Sequence, residues 1–373
     1  MSGRRLRIAL AGTRGVPARY SGFETCAEQL GARLVERGHD VTVYCRTHHS
    51  PFPDRTYRGM RRVLVPTIRN KYLDTITHAA TSTLHALTQR FDVVLYFIAG
   101  NSPVVWVPRL VGTRSVINVD GLDWRREKWP FAAKQYLQLC ERLSTILPNA
   151  CVTDSHVVQA YYRERFHHDP VYIPYGSELE RRPPGPTLER LGLTPGQYVL
   201  FVGRLVAENC VDHLIDAFPL LRTNFKCVVV GGASYADEYI ARLQTKAASD
   251  SRIILTGYLF GEAYQELGSN AALFVETSGV GGTHPALVEA MAFDRCVVVN
   301  DTPENLETMG GAGRSYRGAE GAPALARVLQ DLLDRPDLIA ELAEAAGRRA
   351  RQHYTWNAVT DAYERLFLEV CAQ

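Results

Sequence analysis

The sequence has no long hydrophobic run. Nothing in it approaches the roughly 18 uninterrupted apolar residues that cross a membrane, and the apolar stretch behind the basic amino terminus, Ile8 to Ala11, is too short for the core of a signal peptide. A cytoplasmic chain is therefore predicted. Paired cysteines are missing too: the eight at 26, 45, 140, 151, 210, 227, 296 and 371 form no CxxC, and most lie in apolar surroundings. They read as small reduced core residues, not as disulfides or zinc ligands. His48-His49 and His167-His168 are adjacent pairs, a spacing not expected to bring both rings to one ion, so no metal site is predicted. The dinucleotide fingerprint is absent as well. Glycines fall at 12, 15 and 22 instead of as GxGxxG, and Arg46 stands where a ribose-binding acid would follow the second strand, which argues against a nicotinamide cofactor. Finally, no charge of one sign dominates. The net charge is +2, but the residues to Glu180 carry 24 basic against 16 acidic groups, +8, and the remainder −6. That basic half suits a phosphate-bearing partner or a membrane surface, and no nucleic acid is expected.

What is present is the composition of a globular chain of about two domains, 46% hydrophobic and 22% charged over 373 residues. Arg7 to Ala11 is a short strand, the glycine-rich loop 12–24 follows, and Thr25 to Arg37 has helical periodicity. Ser21 and Glu24 have capping-box spacing, and Val41 to Cys45 is the next strand. This opens a doubly wound parallel sheet. Asp92 to Phe97 and Arg114 to Val119 read as further strands, and the second delivers Asp120, Asp123 and Trp124 at its carboxyl end. Ligands bind at that edge, so Asp120 either contacts a substrate hydroxyl or caps the next helix. Trp124 and Trp129 offer either a sugar-stacking surface or packing. Arg58, Arg61, Arg62, Arg69 and Lys71 form either a solvated face or a contact for a phosphate-bearing acceptor or anionic lipid.

Arg181 to Pro186 is proline-rich without periodicity, and residues 181–196 are predicted to be a linker between a first domain, 1–180, and a second, 197–354, with 355–373 forming a final helix that packs back on the first. The second domain restarts the alternation: Tyr198 to Val202 leads to Arg204, which either clamps a diphosphate or pairs with Glu208. Its richest stretch runs from Ser278 to Glu307. A strand ends in a loop carrying Gly279, Gly281 and Gly282, and Pro285 opens a helix with Glu289 inside it. Unpaired amides at that helix start and a carboxylate just within are what a phosphate beside a ribose diol requires, although an ordinary βα loop has the same glycines.

Five blocks in order, G-T-R-G-V-P-A-R-Y-S-G-F-E-T (12–25), N-V-D-G-L-D-W-R-R-E-K-W (118–129), V-G-R-L-V-A-E-N (202–209), T-G-Y (256–258) and G-G-T-H-P-A-L-V-E-A-M (281–291), resemble the rhamnosyltransferase-like branch of family 4 glycosyltransferases over nearly the whole chain. The resemblance implies a GT-B fold, two Rossmann-like domains facing across a cleft, and metal-independent transfer of a hexose or deoxyhexose with retention. It implies a nucleotide-diphospho-sugar as co-substrate, dTDP-L-rhamnose first, and no other cofactor. The acceptor is then a saccharide or a polyprenyl-linked glycan in polysaccharide synthesis, with peripheral contact at the inner membrane face. Carried over, Arg204 matches a diphosphate-binding arginine and Glu289 a ribose-binding acid. Gly282, Thr283 and His284 match the loop along the donor sugar, and Gly15 and Gly22 the loop approaching the diphosphate. Asp120 takes the position of a sugar-contacting or catalytic polar group, with Tyr20, Asp123 and Trp124 on the acceptor side. Two positions depart from the wider family: Gly281 stands for a first acid and Asn209 for a second phosphate-binding lysine. A nucleotide-sugar epimerase of the same fold and a non-catalytic nucleotide-sugar-binding protein are the alternatives.

Overall fold

The computed structural model describes all residues except 1–3, 20–21, 50–51, 71–72, 127–128, 179 and 234–235. It divides into two compact units, Met1–Gly176 with Trp356–Gln373, and Ser177–Thr355.

In unit 1 the strands are β1 (Arg7–Ala11), β2 (Asp40–Arg46), β3 (Thr56–Tyr57), β4 (Met60–Val65), β5 (Val93–Phe97), β6 (Arg114–Asn118), β7 (Ala150–Thr153) and β8 (Val171–Tyr172). They form one sheet in the order β3-β4-β2-β1-β5-β6-β7-β8, parallel except for the β3–β4 hairpin. Strands buried on both faces read as continuous apolar runs, and alternate residues serve opposite sides. Ile8 and Leu10 of β1 and Val93, Leu95 and Phe97 of β5 face one core, while Ala9, Ala11, Val94 and Tyr96 face the other. The helix Gly22–Glu36 and the last helix, Trp356–Ala372, cover the first of these faces.

That last helix belongs to unit 1 because of its apolar stripe. Trp356, Val359, Tyr363, Leu366, Phe367 and Val370 recur at helical spacing and are buried. At about 1.5–3 kcal/mol per side chain their burial is worth on the order of 10 kcal/mol. Arg37 pairs with Glu364 at 2.6 Å and Asp361 at 2.7 Å, and His39 reaches Glu364 at 2.9 Å. These contacts are partly exposed and add little beside the stripe.

Unit 2 holds β9 (Tyr198–Val202), β10 (Lys226–Val230), β11 (Ile253–Gly257), β12 (Leu273–Glu276), β13 (Cys296–Asn300) and β14 (Arg314–Tyr316), all parallel, in the order β11-β10-β9-β12-β13-β14. The stretch predicted to be a linker is built into this unit. Pro186–Leu191 is a helix whose start is capped by Glu266, with Gly185 N, Thr187 N and Leu188 N at 2.9, 3.1 and 2.8 Å from its carboxylate. Leu188 and Leu193 enter the core. The prolines that suggested a linker stand before a helix and at its first position, where proline is well tolerated. Ser21 of the expected capping box lies outside the described residues; Glu24 accepts from Arg14 N at 2.7 Å, tying the glycine loop to the helix. All eight cysteines are free, six of them buried.

Candidate functional site

In unit 2 the strand order reverses between β9 and β12, and chains leaving such a switch point diverge, opening a crevice at the carboxyl edge. The loops there are stitched together. Gly203 N bonds Val230 O at 3.0 Å, Leu205 N bonds Gly232 O at 3.1 Å, and Gly231 N bonds Gly257 O at 2.9 Å. Gly279 N bonds Glu208 O at 2.9 Å, and Thr277 Oγ1 donates to Asn209 O at 2.5 Å. Gly231 has φ +148°, and a Cβ on it would stand 1.8 Å from Gly203 O, so only glycine fits.

Arg204 sits half-buried within this frame, and its guanidinium makes no hydrogen bond or ion pair with any described residue, Glu208 included. The unpaired cation is the feature an anion would satisfy. Asn209 has a structural duty: its amide donates to Arg204 O at 2.9 Å and so fixes the backbone that carries the arginine. Gly281 is explained by His284, whose ring occupies the space a side chain at 281 would need, 2.5 Å from an added Cβ. Gly282 and Thr283 are buried, His284 is half-buried, and the helix Pro285–Ala292 that follows has no side-chain cap. Glu289, half-buried on that helix, accepts a hydrogen bond from Tyr264 Oη. Burial pushes its carboxyl up to about 7, against the stabilising pull of Tyr264.

The carboxyl edge of unit 1 has other chemistry. Gly15, φ +109°, presses on Cys45, where a Cβ would lie 2.5 Å from Sγ, and Gly22 begins the helix Gly22–Glu36. Ile98, after β5, and Asp120, after β6, both take positive φ, +73° and +49°. Such strain in non-glycine residues persists only where the surroundings hold it. Asp120 N bonds Asn118 Oδ1 at 3.1 Å, and Asn118 Nδ2 donates to Tyr363 Oη at 2.7 Å. Asp120 does not cap the short helix Asp123–Arg125, which has no side-chain cap. Asp123 is held by Arg126 Nε at 2.7 Å, and Trp124 packs on the core with Arg125 over its ring at 5.7 Å. Trp124 is half-buried, and Tyr20 lies outside the described residues.

One expectation is corrected here. The adjacent His48 and His49 do converge: their Nε2 atoms lie 3.6 and 3.7 Å from the two oxygens of Asp74, and the three offer ligand atoms within 4.8 Å of one another. The turn after β2 folds both rings over one carboxylate, which spacing alone did not reveal. Asp74 is also bonded to Arg46 and Thr67, each at 2.6 Å. Of the basic residues between 58 and 71, Arg62 is buried on the carbonyls of Phe52 and Asp54, Arg58 pairs with Glu28 at 3.6 Å, and Arg61 and Arg69 are exposed. Lys71 is outside the described residues.

Sequence reasoning missed two residues. Asp154, fully buried, follows β7, the strand paired with the β6 from which Asp120 extends; its place at a strand end was the same signal that singled out Asp120. Tyr264 had no signal, since a tyrosine on an unremarked helix gives no spacing to Glu289.

Comparison with known proteins bears on both units. The family model described as glycosyl transferase 4-like domain matches residues 21–176, and the one described as glycosyl transferases group 1 matches residues 196–335. An α-D-kanosaminyltransferase of Streptomyces kanamyceticus is 29% identical over 189 residues, which is 49% of this chain and 48% of that protein; the match thus spans about half of the relative. Sucrose-phosphate synthase from Thermosynechococcus elongatus superposes with a TM-score of 0.83 at 19% identity, over 99% of this chain and all of that one. Anabaena HepE in complex with UDP-glucose gives 0.81 at 16% identity, over 97% and 99%. At these identities the likeness shows the fold, which is GT-B.

Proposed function

From a chain that belongs to the glycosyltransferases, with a 4-like domain in its first unit and a group 1 domain in its second, we propose a retaining, nucleotide-sugar-dependent glycosyltransferase. The observation that carries this is Arg204: a half-buried, unpaired guanidinium at a switch-point edge, beside glycine loops and an uncapped helix start. An anion at that edge satisfies the arginine and meets the start of a helix that has no side-chain cap. Glu289 supplies the acceptor for a ribose diol once it has lost its proton. Arg204 and the amides near 282–284 stabilise the charge that grows on the diphosphate as the sugar leaves, and the departing phosphate oxygen takes the acceptor's proton. Few acids and bases are then needed, in keeping with an edge of unit 2 rich in glycine.

The donor class is a nucleoside-diphosphate hexose or deoxyhexose. dTDP-L-rhamnose is the first candidate on the strength of the ordered motifs, and UDP-glucose the second because HepE binds it. Unit 1 is assigned the acceptor, a saccharide or lipid-linked saccharide. Its exposed Leu84, Trp106, Leu110 and Val111 support peripheral contact with a lipid-bearing substrate.

The test is release of nucleoside diphosphate from dTDP-, UDP- and GDP-sugars with saccharide and polyprenyl-linked acceptors, comparing the natural chain with Arg204→Ala and Glu289→Ala. Acceptor-dependent release from one donor, suppressed by both substitutions, is expected. Absence of release from every donor would refute the reading.

A further inference from the structure

The turn beyond β2 brings together three side chains that the proposed chemistry does not use. Arg46 ends β2, and its amide bonds Arg14 O at 3.0 Å, so the turn stands against the glycine loop at the carboxyl edge of unit 1. Thr47 Oγ1 donates to Val65 O at 2.9 Å and His49 N to Arg46 O at 3.1 Å. These bonds fold the chain back and lay the rings of His48 and His49 against each other, with centroids 4.1 Å apart. Both face Asp74, the first residue of the helix Asp74–Ala86: His48 Nε2 is 3.6 Å from its Oδ1 and His49 Nε2 3.7 Å from its Oδ2. All three side chains are half-buried. Among the described residues no other group of three histidine, cysteine or acid side chains brings its ligand atoms within 4.8 Å of one another.

Those separations are too long for hydrogen bonds. They suit ligand atoms around a small ion, since four ligands at about 2.1 Å in a tetrahedron stand about 3.4 Å apart. An ion pair explains the contact less well. The Asp74 carboxylate already accepts from Arg46 Nη1 and Thr67 Oγ1, each at 2.6 Å, and Arg14 and Arg46 act on both rings with positive charge. A proton on either imidazole would add a cation where the anion is already taken. Neutral imidazoles each offer one nitrogen lone pair. Thr67 selects the nitrogen on His48: its hydroxyl proton goes to Asp74, so toward His48 Nδ1, 3.5 Å away, it can only accept. The proton then sits on Nδ1 and the lone pair on Nε2, on the side of Asp74. Outer partners of this kind orient metal-binding histidines. Because Arg46 balances the carboxylate, the ion has to be held chiefly by nitrogen, which suits zinc and its neighbours and not Mg2+ or Ca2+. We propose that His48, His49 and Asp74 form a site for one divalent transition-metal ion of the zinc class, with a fourth position open to water or a ligand oxygen. The site is independent of the transferase reading, which assigns the nucleotide to groups of unit 2.

The experiment loads the full chain, free of any histidine tag, with Zn2+ or Co2+, removes loose metal by dialysis and counts the metal bound per chain. One ion per chain is expected, the Co2+ form should show the visible absorption of a four-coordinate ion, and excess Mg2+ or Ca2+ should not displace it. His48→Ala and His49→Ala should each weaken binding by about 100-fold or more in competition with a chromophoric chelator, since even outer partners are worth about 10–100-fold. Thr67→Val should cost about tenfold and keep the four-coordinate spectrum. His168→Ala, in the other adjacent histidine pair, should change nothing. No bound metal, or metal undiminished in His48→Ala and His49→Ala, would overturn the proposal. So would an equal loss in His168→Ala, the pattern of scattered surface histidines. If His48→Ala does not fold, His49→Ala, the more exposed ring of the two, decides. Because metal is counted without turnover, failure to find a sugar donor would sink the transferase reading and leave this one to be settled by the count.

Discussion

The two units share a doubly wound parallel sheet and differ in what they place at its carboxyl edge. Unit 2 lines the edge with glycine loops bonded to one another through their backbones, and there Arg204 pairs with no described residue while Glu289 accepts from Tyr264. Unit 1 lines it with side chains bonded to one another, Asn118 with Tyr363 and Asp74 with Arg46. Among the described residues, twelve of the sixteen large exposed apolar side chains also fall in unit 1. The fold therefore does not divide the labour; the edge does. On the proposed reading, unit 2 receives a compact anion and unit 1 receives hydroxyls, with apolar surface beside them.

The strongest way to break the comparison is to remove what makes unit 1 a unit. Deletion of 356–373 takes six core side chains from it, and the expected result is a chain with no cooperative unit 1, read by near-ultraviolet circular dichroism and solubility. Next, Arg204→Ala should lower kcat/KM by about 10²–10³-fold, the range for losing one donor to a developing oxyanion. Its unfolding midpoint should stay in place because the guanidinium holds nothing in the fold. Gly231→Ala should cost at least about 2 kcal/mol in denaturant unfolding, since a Cβ there meets a backbone oxygen at 1.8 Å. Tyr363→Phe leaves Asn118 Nδ2 buried without its acceptor and should cost about 1–3 kcal/mol by the same measurement.

The smallest effect is one of pH. Glu289 in the free protein is raised to about 7, so below that pH it holds a proton and cannot accept from both hydroxyls of a ribose. Nucleotide affinity should rise with pH through about 7 and then level, and in Glu289→Gln calorimetry should find no such rise. The stability sign is the reverse. Between the unfolded value, near 4.5, and about 7 the native state binds more protons than the unfolded one, so this group's contribution is lost as pH rises through that window.

Much of the fold was legible because its signals are local. Strands such as Val93–Phe97 announce themselves as apolar runs, and the last helix by its stripe. Pro183 to Pro186 misled for a physical reason: proline at a helix start and proline in a linker look alike until Glu266, some 80 positions on, is seen capping the turn. Arg204 and Glu289 were legible through their loops. Asp154, Tyr264 and the meeting of His48 with His49 over Asp74 were not, because each depends on which strand ends and helices the topology brings together.

The most direct test of the division between the units is hydrogen–deuterium exchange of the full chain with and without UDP or dTDP. Protection is required in residues 203–209 and 278–289, around Arg204 and the helix start Pro285, whatever changes elsewhere. Protection confined to unit 1, with those loops exchanging as freely as before, would contradict the assignment of the nucleotide to unit 2.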